Sequence, residues 1–372
     1  MTDTQATTQR SSGRGRSLRR AAIPALLLVL AGAASAIFYW PPQLYAYTLG
    51  RLSSPSPSAS VGDIGLPDYR VVVEAKPVAG IRGDLSGITY DYDLDRLLAV
   101  TNAGPPELFV LSKTGEVLER HRLRGFEDVE GLAYMGDGRL LLSEERAQRL
   151  RLVRLPAPGN GEAIDVGDSP FIALGINLQE RNQGFEGVAY DRLHDRLFVV
   201  KEAGPRQLFE LDGAGRSFDG FLQLSVRDLT AWIERSVFAK DLSDVVQDPR
   251  TGHLLLLSDE SKLLVELDGN GNFVSFRSLR RYLSELQESA PQAEGVTLDG
   301  AGNLYVVSEP NLFYAFQKKA APSPLSETGS KAAPLHASGR TSANVPFRLG
   351  GAGRAGEGPV LYSPAFHRAI SP

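Results

Sequence analysis

Cysteine is absent from the sequence, which excludes disulfide frameworks, thiolate metal sites, cysteine nucleophiles and lipid attachment through an N-terminal cysteine. Histidine is scarce, and the five histidines are scattered, so a zinc or copper site built from clustered imidazoles is not indicated. The sequence also lacks a Gly-x-Ser-x-Gly nucleophile elbow, a His-Glu-x-x-His motif and a phosphate-cradling loop. The common sequence signatures of hydrolases and nucleotide-binding enzymes are therefore missing.

Basic residues are few in the middle of the chain. The whole sequence has 40 Lys and Arg against 44 Asp and Glu, but residues 1–70 hold seven basic and three acidic residues, and residues 317–372 hold seven and two. Residues 71–316 are left with 26 basic and 39 acidic residues, a net charge of -13. Such an acidic surface argues against nucleic acid as a partner and for cations or cationic partners.

The N-terminal region predicts a membrane anchor. Residues 1–20 form a basic tail with five arginines, and residues 21–40 carry no charge. Twenty such residues are about enough to cross a hydrocarbon layer of ~30 Å, and the arginines should remain in the cytoplasm. We expect a single-pass membrane protein with its remainder on the extracytoplasmic side. A cleaved signal peptide is the alternative, because Ala34-Ser35-Ala36 resembles a cleavage site.

Two segments of biased composition flank the central region. Residues 41–68 contain alternating Ser and Pro at positions 53–58 and predict an extended linker. Residues 318–372 are rich in Ala, Pro, Ser and Gly without hydrophobic periodicity, which predicts a disordered tail. The candidate folded domain is therefore residues 69–317.

One pattern recurs five times within that domain. Each copy starts with a strand-like motif, followed by a turn, an apolar run of strand length, a polar pair and a third strand. Repeats of several short strands, spaced here by roughly 44 to 57 residues, are typical of propeller blades. We predict an all-β fold, a five-bladed β-propeller. The starting motifs are Asp84-Leu-Ser-Gly-Ile-Thr-Tyr-Asp91, Asp128-Val-Glu-Gly-Leu-Ala-Tyr134, Gly184-Phe-Glu-Gly-Val-Ala-Tyr-Asp191, Asp241-Leu-Ser-Asp-Val-Val-Gln-Asp248 and Gln292-Ala-Glu-Gly-Val-Thr-Leu-Asp299.

The fifth copy has only three strands before the tail, so its sheet needs a strand from elsewhere. We predict that Tyr69–Val78 closes the ring, because an open sheet edge would otherwise remain. Deletion up to Val78 should then destabilise the domain, whereas deletion up to about Gly65 should not. Further outer strands are expected at Val117–Leu123, Phe171–Leu178, Phe218–Leu224 and Phe273–Leu279, and short helices near residues 229–233 and 279–286.

Polar side chains should converge at one mouth of the central channel. A hairpin returns the chain to the level it left, so first-strand starts and second-strand ends lie side by side. Carboxylates at 4 Å repel by roughly 4 kcal/mol per pair at an effective dielectric of about 20, and protonation, Lys or Arg partners, or a cation must offset this. The starts supply Ser86, Glu130, Glu186, Ser243, Asp244 and Glu294, and the ends supply Asn102, Glu144, Glu202, Asp259 and Glu309.

Oxygen ligands without cysteine or clustered histidine favour calcium. The alternative is that each Glu of a Glu-Gly pair accepts backbone N–H bonds from the neighbouring blade and binds no ligand. No catalytic residue is assigned. The predicted Ca²⁺ ligands are Glu130, Glu186, Asp244, Glu294, Glu202 and Glu309.

The motifs that begin at Asp84, Gly184 and Asp241 resemble those of the SdiA-regulated family of bacterial proteins, over about Tyr69 to Phe316 and the N-terminal apolar segment. The resemblance implies a five-bladed propeller anchored in the bacterial plasma (inner) membrane, distantly similar to NHL-repeat proteins, with a calcium site and no established activity. The Glu-Gly-Val/Leu-Ala-Tyr-Asp pattern also looks like phytase-like esterase and metal-dependent lactonase propellers. Repeats one and four carry Ser instead of Glu, which suggests an ion displaced to one side.

Two functions remain open from the sequence. The first is a tethered binding or scaffold module, expected to be monomeric, for an unknown envelope ligand or protein. The second is a metal-dependent hydrolase in which calcium polarises a phosphoryl or lactone oxygen and Glu202 or Glu309 activates water.

Overall fold

The computed structural model describes residues 26–33, 62–175 and 184–318. Residues 26–33 form a helix with exposed apolar side chains. Within the described parts of the chain, no helix has both the length and the apolar character required to cross a membrane. The rest of the predicted anchor, the linker as far as residue 61 and the tail after residue 318 lie outside the described residues.

The regular secondary structure of residues 62–175 and 184–318 consists mainly of short strands. Short α-helices lie at Ala214–Phe218 and Thr230–Ser236, and 3₁₀ turns at Leu66–Asp68 and Arg281–Leu283. The described strands, in chain order, are β1 (Tyr69–Pro77), β2 (Leu85–Asp91), β3 (Arg96–Thr101), β4 (Glu107–Leu111), β5 (Val117–Arg124), β6 (Val129–Gly136), β7 (Arg139–Glu144), β8 (Arg149–Arg154), β9 (Ile164–Asp165), β10 (Phe171–Ala173), β11 (Phe185–Asp191), β12 (Arg196–Lys201), β13 (Gln207–Asp212), β14 (Ser225–Asp228), β15 (Asp244–Gln247), β16 (Leu254–Ser258), β17 (Leu263–Leu267), β18 (Phe273–Ser278), β19 (Gln292–Leu298), β20 (Leu304–Glu309) and β21 (Leu312–Lys318).

The strands form five antiparallel sheets, the blades, each with its first strand innermost. Blade one is β2-β3-β4-β5 with β9 added in parallel at its edge, and blade two is β6-β7-β8-β10. Blades three and four are β11 to β14 and β15 to β18 in order, and blade five is β19-β20-β21-β1. The predicted five-bladed, all-β propeller is confirmed.

Strand β1 closes the ring, as predicted. It pairs antiparallel with β21, with Tyr69 opposite Lys318 and Pro77 opposite Leu312. The last blade therefore combines the two ends of the described domain. The segment before β1 also packs, because Ile64 and Leu66 are 0% exposed. The N–H of Ile64 donates to Glu266 Oε1 at 2.7 Å, so the folded body begins before Tyr69.

Apolar residues fill the gaps between blades. In the described residues, five buried clusters occupy the five gaps, as where Leu98 of blade one meets Leu140 of blade two. Middle strands such as β16 are buried throughout, because both faces of a blade are covered by neighbouring blades. The outer strand β5 instead alternates buried and exposed positions in its second half. Each fully buried Leu or Val side chain contributes about 1.5 to 3 kcal/mol.

The outer edge of blade three departs from the prediction. The expected strand Phe218–Leu224 is wrong, because helix Ala214–Phe218 precedes β14, which starts at Ser225. Asp195 accepts the N–H groups of Gly215 at 2.6 Å and of Arg216 at 3.2 Å, which satisfies the first turn of that helix. The helix expected near residue 230 is present as Thr230–Ser236, whereas segment 279–286 contains only the 3₁₀ turn.

Candidate functional site

Every blade enters its first strand through an equivalent four-residue segment, which we call the entry motif. The first position is Asp in blades one, two and four, and the third position is Glu or Ser. The fourth position is Gly in every blade except the fourth. In blade order the third positions are Ser86, Glu130, Glu186, Ser243 and Glu294, and the fourth positions are Gly87, Gly131, Gly187, Asp244 and Gly295.

Neighbouring first strands touch at the fourth position, which we call the glycine level. A methyl group on Gly131 would lie 2.2 Å from the carbonyl oxygen of Glu186, and one on Gly187 would lie 2.4 Å from the Cα of Asp244. One on Gly295 would lie 2.9 Å from the Cα of Gly87. These positions need glycine because backbone meets backbone near the axis.

Asp244 occupies the glycine level of blade four and joins it to blade five. Its Oδ1 accepts the N–H of Val245 at 2.8 Å, and its Oδ2 accepts the N–H of Val296 at 2.7 Å. Burial raises the pKa of Asp244 well above its usual range, while these two N–H groups act in the opposite direction. Asp244, one of the predicted ligands, thus accepts backbone N–H bonds from its own and the neighbouring blade, as expected if it binds no ion. It lies at a different position from the carboxylates of the other blades.

The other predicted carboxylates are brought together at one end of the channel. Burial raises the pKa of Glu130 to about 8, and Glu145, Asp128 and Glu309 raise it further through charge repulsion, against a hydrogen bond from Ser86. Burial likewise raises the pKa of Glu294 to about 8, with repulsion from Asp259, Glu309 and Glu130 added. We call this end the carboxylate mouth; its members are Asp128, Glu130, Glu145, Glu186, Glu202, Glu294 and Glu309.

Glu186 lies at the electrostatic centre of this group. Burial raises its pKa well above the usual range, and the charges of Glu130, Glu145, Glu202 and Glu294 act in the same direction. The pKa values of Glu202 and Glu309 are raised as well, first by burial and then by neighbouring carboxylates. Five of the six predicted ligands therefore belong to one interacting set.

Three carboxylates form the tightest part of the mouth. Oxygen atoms of Asp128, Glu130 and Glu145 all lie within 4.8 Å of one another. The side-chain amide of Asn102 contacts Glu130 and reaches Asp128 at 3.5 Å. A half-turn of that amide would present its carbonyl oxygen to the same space. With the amide in that orientation, the atoms that could bind a metal here are all oxygens.

Cations only partly balance this charge. None of the six glutamates of the mouth forms an ion pair with a Lys, Arg or His that the structure describes. Arg146 lies 3.2 Å from Asp128 but is 67% exposed, which weakens the pair. Lys201 is 0% exposed, donates to the carbonyl of Ala203 and lowers the pKa of Glu202. Carboxyl groups therefore outnumber basic side chains among the described residues of the carboxylate mouth.

Glu145 is a member of the mouth that the sequence reasoning missed. The sequence pattern points to Glu144 as the end of the second strand, but Glu144 pairs with Arg151 at 3.1 Å within blade two. Glu145 instead accepts the N–H of Gly184 at 2.9 Å, at the junction with blade three. The second strands of blades one and two begin with Arg96-Leu97 and Arg139-Leu140. Aligning the two blades at these pairs places Glu145 opposite Asn102. Asp128, also missed, was detectable as the first position of the entry motif.

The donor set fits a hard divalent cation. Clustered oxygen donors, unbalanced negative charge and carboxyl groups that hold protons to high pH are the conditions under which an ion such as Ca²⁺ is favoured. Neither thiolate nor clustered imidazole is present at the described mouth to favour a softer metal.

A model of the family described as SdiA-regulated matches residues 62–317. A luciferin-regenerating enzyme shares 12% identity with a TM-score of 0.44, covering 68% of this chain and 96% of that one. A gluconolactonase from Xanthomonas campestris shares 12% identity with a TM-score of 0.42, covering 70% and 94%. A streptogramin B lyase shares 13% identity with a TM-score of 0.36, covering 69% and 75%. At these values the structural likenesses carry no functional argument.

Proposed function

The chain belongs to the SdiA-regulated family, and from this premise we propose that its propeller is a calcium-binding module that presents a rigid face to an envelope ligand or protein. The observation that carries the proposal is the cluster of Asp128, Glu130 and Glu145 oxygens beside Glu186, for which the described residues supply no matching set of basic side chains. In this proposal the module lies on the extracytoplasmic side of a bacterial inner membrane, and residues 21–40 tether it there.

The residues of blades two and three would hold the ion. Asp128, Glu130 and Glu145 supply clustered oxygens, and Glu186 adds charge from the next blade. Ser86 and Ser243 leave blades one and four without a carboxylate at the third position, so the charge is displaced to one side. Bound calcium would supply two positive charges and oxygen coordination at this point.

Protons and calcium compete for the same oxygens. The pKa of about 8 for Glu130 means that this carboxyl is largely protonated at neutral pH unless a cation replaces the proton. Calcium binding should therefore release protons, and calcium affinity should rise with pH up to about pH 8. The ion would also join adjacent blades where their carboxylates repel each other.

A metal-dependent hydrolase is the second candidate. Glu202 and Glu309 are partly exposed, and their raised pKa values suit a general base or acid beside a cation. The module is favoured because neither Glu is held by a described side chain that would orient it for catalysis.

Calorimetric titration of calcium into the metal-free, full-length protein tests the proposal. The parent should bind calcium, and Glu130→Gln and Glu186→Gln should each weaken binding at least about tenfold. Glu288→Gln, on a side chain that is 77% exposed, is the control and should bind like the parent. A parent without calcium binding would refute the module. Calcium-dependent turnover of a phosphoester or lactone, lost in a folded Glu202→Gln variant, would favour the hydrolase.

A further inference from the structure

The channel has a second end, opposite the carboxylate mouth. Each first strand runs from the entry motif through the glycine level and ends at the turn into the second strand. A cavity of about 370 Å³ lies between the glycine level and these turns. No member of the carboxylate mouth is among its described lining residues, so the cavity is a separate site.

The inner part of this cavity is apolar. The residues directly after the glycine level contribute one branched aliphatic side chain from each blade, and none of them is more than 3% exposed. Val246, one position further, is partly exposed and lines the wall. A volume of this size falls within the range of small-molecule sites. The five aliphatic residues are Ile88, Leu132, Val188, Val245 and Val296.

Tyrosines form the outer part, and their hydroxyl groups are already engaged. Tyr90 donates to Asp95 at 2.5 Å, Tyr134 donates to Asp93 at 2.5 Å, and Tyr190 donates to Asp195 at 3.1 Å. These bonds fix the orientation of the three rings. Because the hydroxyl groups are already hydrogen-bonded, the rings offer a ligand mainly apolar surface. Fixed aromatic surface suits a flat apolar body. We call this end the tyrosine mouth.

One arginine at the tyrosine mouth is available for an anion. Arg192 is exposed, its guanidinium carbon lies 4.3 Å from the ring centroid of Tyr92, and no described carboxylate forms an ion pair with it. Arg250, the other lining arginine, is held by both oxygens of Asp248 at 2.9 and 3.0 Å. Leu193, 64% exposed, places an apolar side chain next to Arg192.

The acidic side chain that lines the cavity, Asp299, has partners other than Arg192. Asp299 is the only acid among the described lining residues. It is fully buried, accepts the hydroxyl of Tyr305 at 3.0 Å and pairs with Lys113 at 3.2 Å. The tyrosine mouth thus combines apolar walls with one arginine that forms no described ion pair, near the aspartates that accept the tyrosine hydroxyls.

We propose that the tyrosine mouth binds a small aromatic carboxylate, with its flat apolar body in the cavity and its carboxylate on Arg192. Guanidinium and carboxylate pair through two parallel hydrogen bonds, and aromatic walls accept a planar ring system. This site neither contains nor requires the ion of the carboxylate mouth.

The first experiment compares 2-naphthoate with its neutral analogue 2-naphthamide, by calorimetry on the full-length protein. Naphthoate should bind at least tenfold more tightly than naphthamide, because only naphthoate carries the charge that Arg192 recognises. Its affinity should change less than twofold between excess calcium and excess chelator, and less than twofold in Glu186→Gln. Because naphthoate binding does not depend on calcium, a negative result for naphthoate leaves the calcium site untouched, and the reverse also holds.

Two variants locate the binding. Arg192→Gln should weaken naphthoate binding at least tenfold and leave naphthamide binding within twofold. The control Arg122→Gln, at an exposed position of β5, should change neither. Val246→Phe should fill the cavity and weaken both probes at least tenfold, with a cooperative thermal melt to verify folding. If Val246→Phe does not fold, Arg192→Gln decides alone.

Three results would overturn the proposal. They are no naphthoate binding to the parent, equal affinity for naphthoate and naphthamide, and unchanged naphthoate binding in Arg192→Gln. Retained binding of both probes in folded Val246→Phe would likewise show that the cavity is not the site.

Discussion

Burial and mutual repulsion act in the same direction on Glu130 and Glu294, and they raise both pKa values to about 8. A carboxyl group with an ordinary pKa of 4.5 in the unfolded chain is deprotonated at neutral pH. In the folded, metal-free protein it retains its proton, and removing that proton costs about 1.4 kcal/mol for each unit of pKa difference. Single side chains at the carboxylate mouth therefore couple stability to pH, and under the proposed function they also couple it to calcium.

The first prediction concerns pH. Between about pH 4.5 and pH 8 the folded state binds more protons at Glu130 and Glu294 than the unfolded state, so metal-free stability must fall as pH rises. Urea unfolding in chelator should show a free energy of unfolding that decreases across this window. Saturating calcium should flatten the slope, and Glu130→Gln should remove part of it. A metal-free stability that rises with pH throughout would contradict this assignment.

The second prediction concerns the glycine level. Gly131→Ala places a methyl group 2.2 Å from the carbonyl of Glu186, so blades two and three must separate. We expect a loss of roughly 2 kcal/mol or more in the free energy of unfolding. Gly269→Ala is the matched control, because a methyl group there meets nothing within 4 Å. Chemical denaturation of both variants compares them, and equal stability would argue against close contact between the first strands.

At the scale of elements, the ring is held by its N-terminal segment and by β1. Glu266, 0% exposed, accepts the N–H of Ile64 at 2.7 Å and of Gly65 at 3.2 Å, and pairs with His253 at 2.7 Å. These contacts fasten the chain to blade four before β1 enters blade five. Closure therefore involves more than the strand pairing of β1 with β21.

The third prediction revises the expected truncation series. Deletion up to residue 61 should leave the melting temperature unchanged. Deletion through Gly65 should lower it, because the buried Ile64 contributes about 1.5 to 3 kcal/mol and Glu266 loses its N–H partners. Deletion through Val78 should lower it further by opening blade five. Equal melting temperatures for the first two truncations would restore the simpler expectation that the fold begins at Tyr69.

Much of the element order could be predicted because each blade repeats the same apolar runs. The closing strand followed from counting strands, and it lies within one residue of the expected range at its C-terminal end. The outer edge of blade three could not be predicted, because it depends on Asp195 capping a helix some twenty residues later. The packing of Ile64 was hidden for the same reason, since its partner Glu266 is 202 residues away.

The candidate site was predicted less completely. Glu130, Glu186 and Glu294 followed from one motif position, and the structure brings them together with Glu202 and Glu309. Glu145 was missed by an offset of one residue in blade two. Asp244, one of the predicted ligands, accepts the N–H groups of Val245 and Val296 at the glycine level. The tyrosine mouth was missed because, in the sequence, its residues look like ordinary strand ends. Only the fold shows that they surround one cavity.

At the scale of the whole molecule, residues 71–316 carry a net charge of -13, and part of that charge faces inward at one mouth of the channel. The other mouth is lined by aromatic rings and arginine. The two ends of one channel thus differ in chemistry, and the glycine level lies between them. We interpret the carboxylate mouth as an ion-dependent structural face and the tyrosine mouth as a ligand site.

The most direct test of the calcium-binding claim is a set of thermal melts, with and without calcium, on the parent and on Glu130→Gln, Glu186→Gln and Glu294→Gln. A calcium concentration a hundredfold above Kd adds about 2.7 kcal/mol to the stability of the folded state, so the parent should melt at a clearly higher temperature with calcium. Each variant should respond less to calcium and, because repulsion is relieved, should be at least as stable as the parent without it. A parent that does not respond to calcium, together with loss of stability in all three variants, would contradict the account and favour glutamates that only bond the neighbouring backbone.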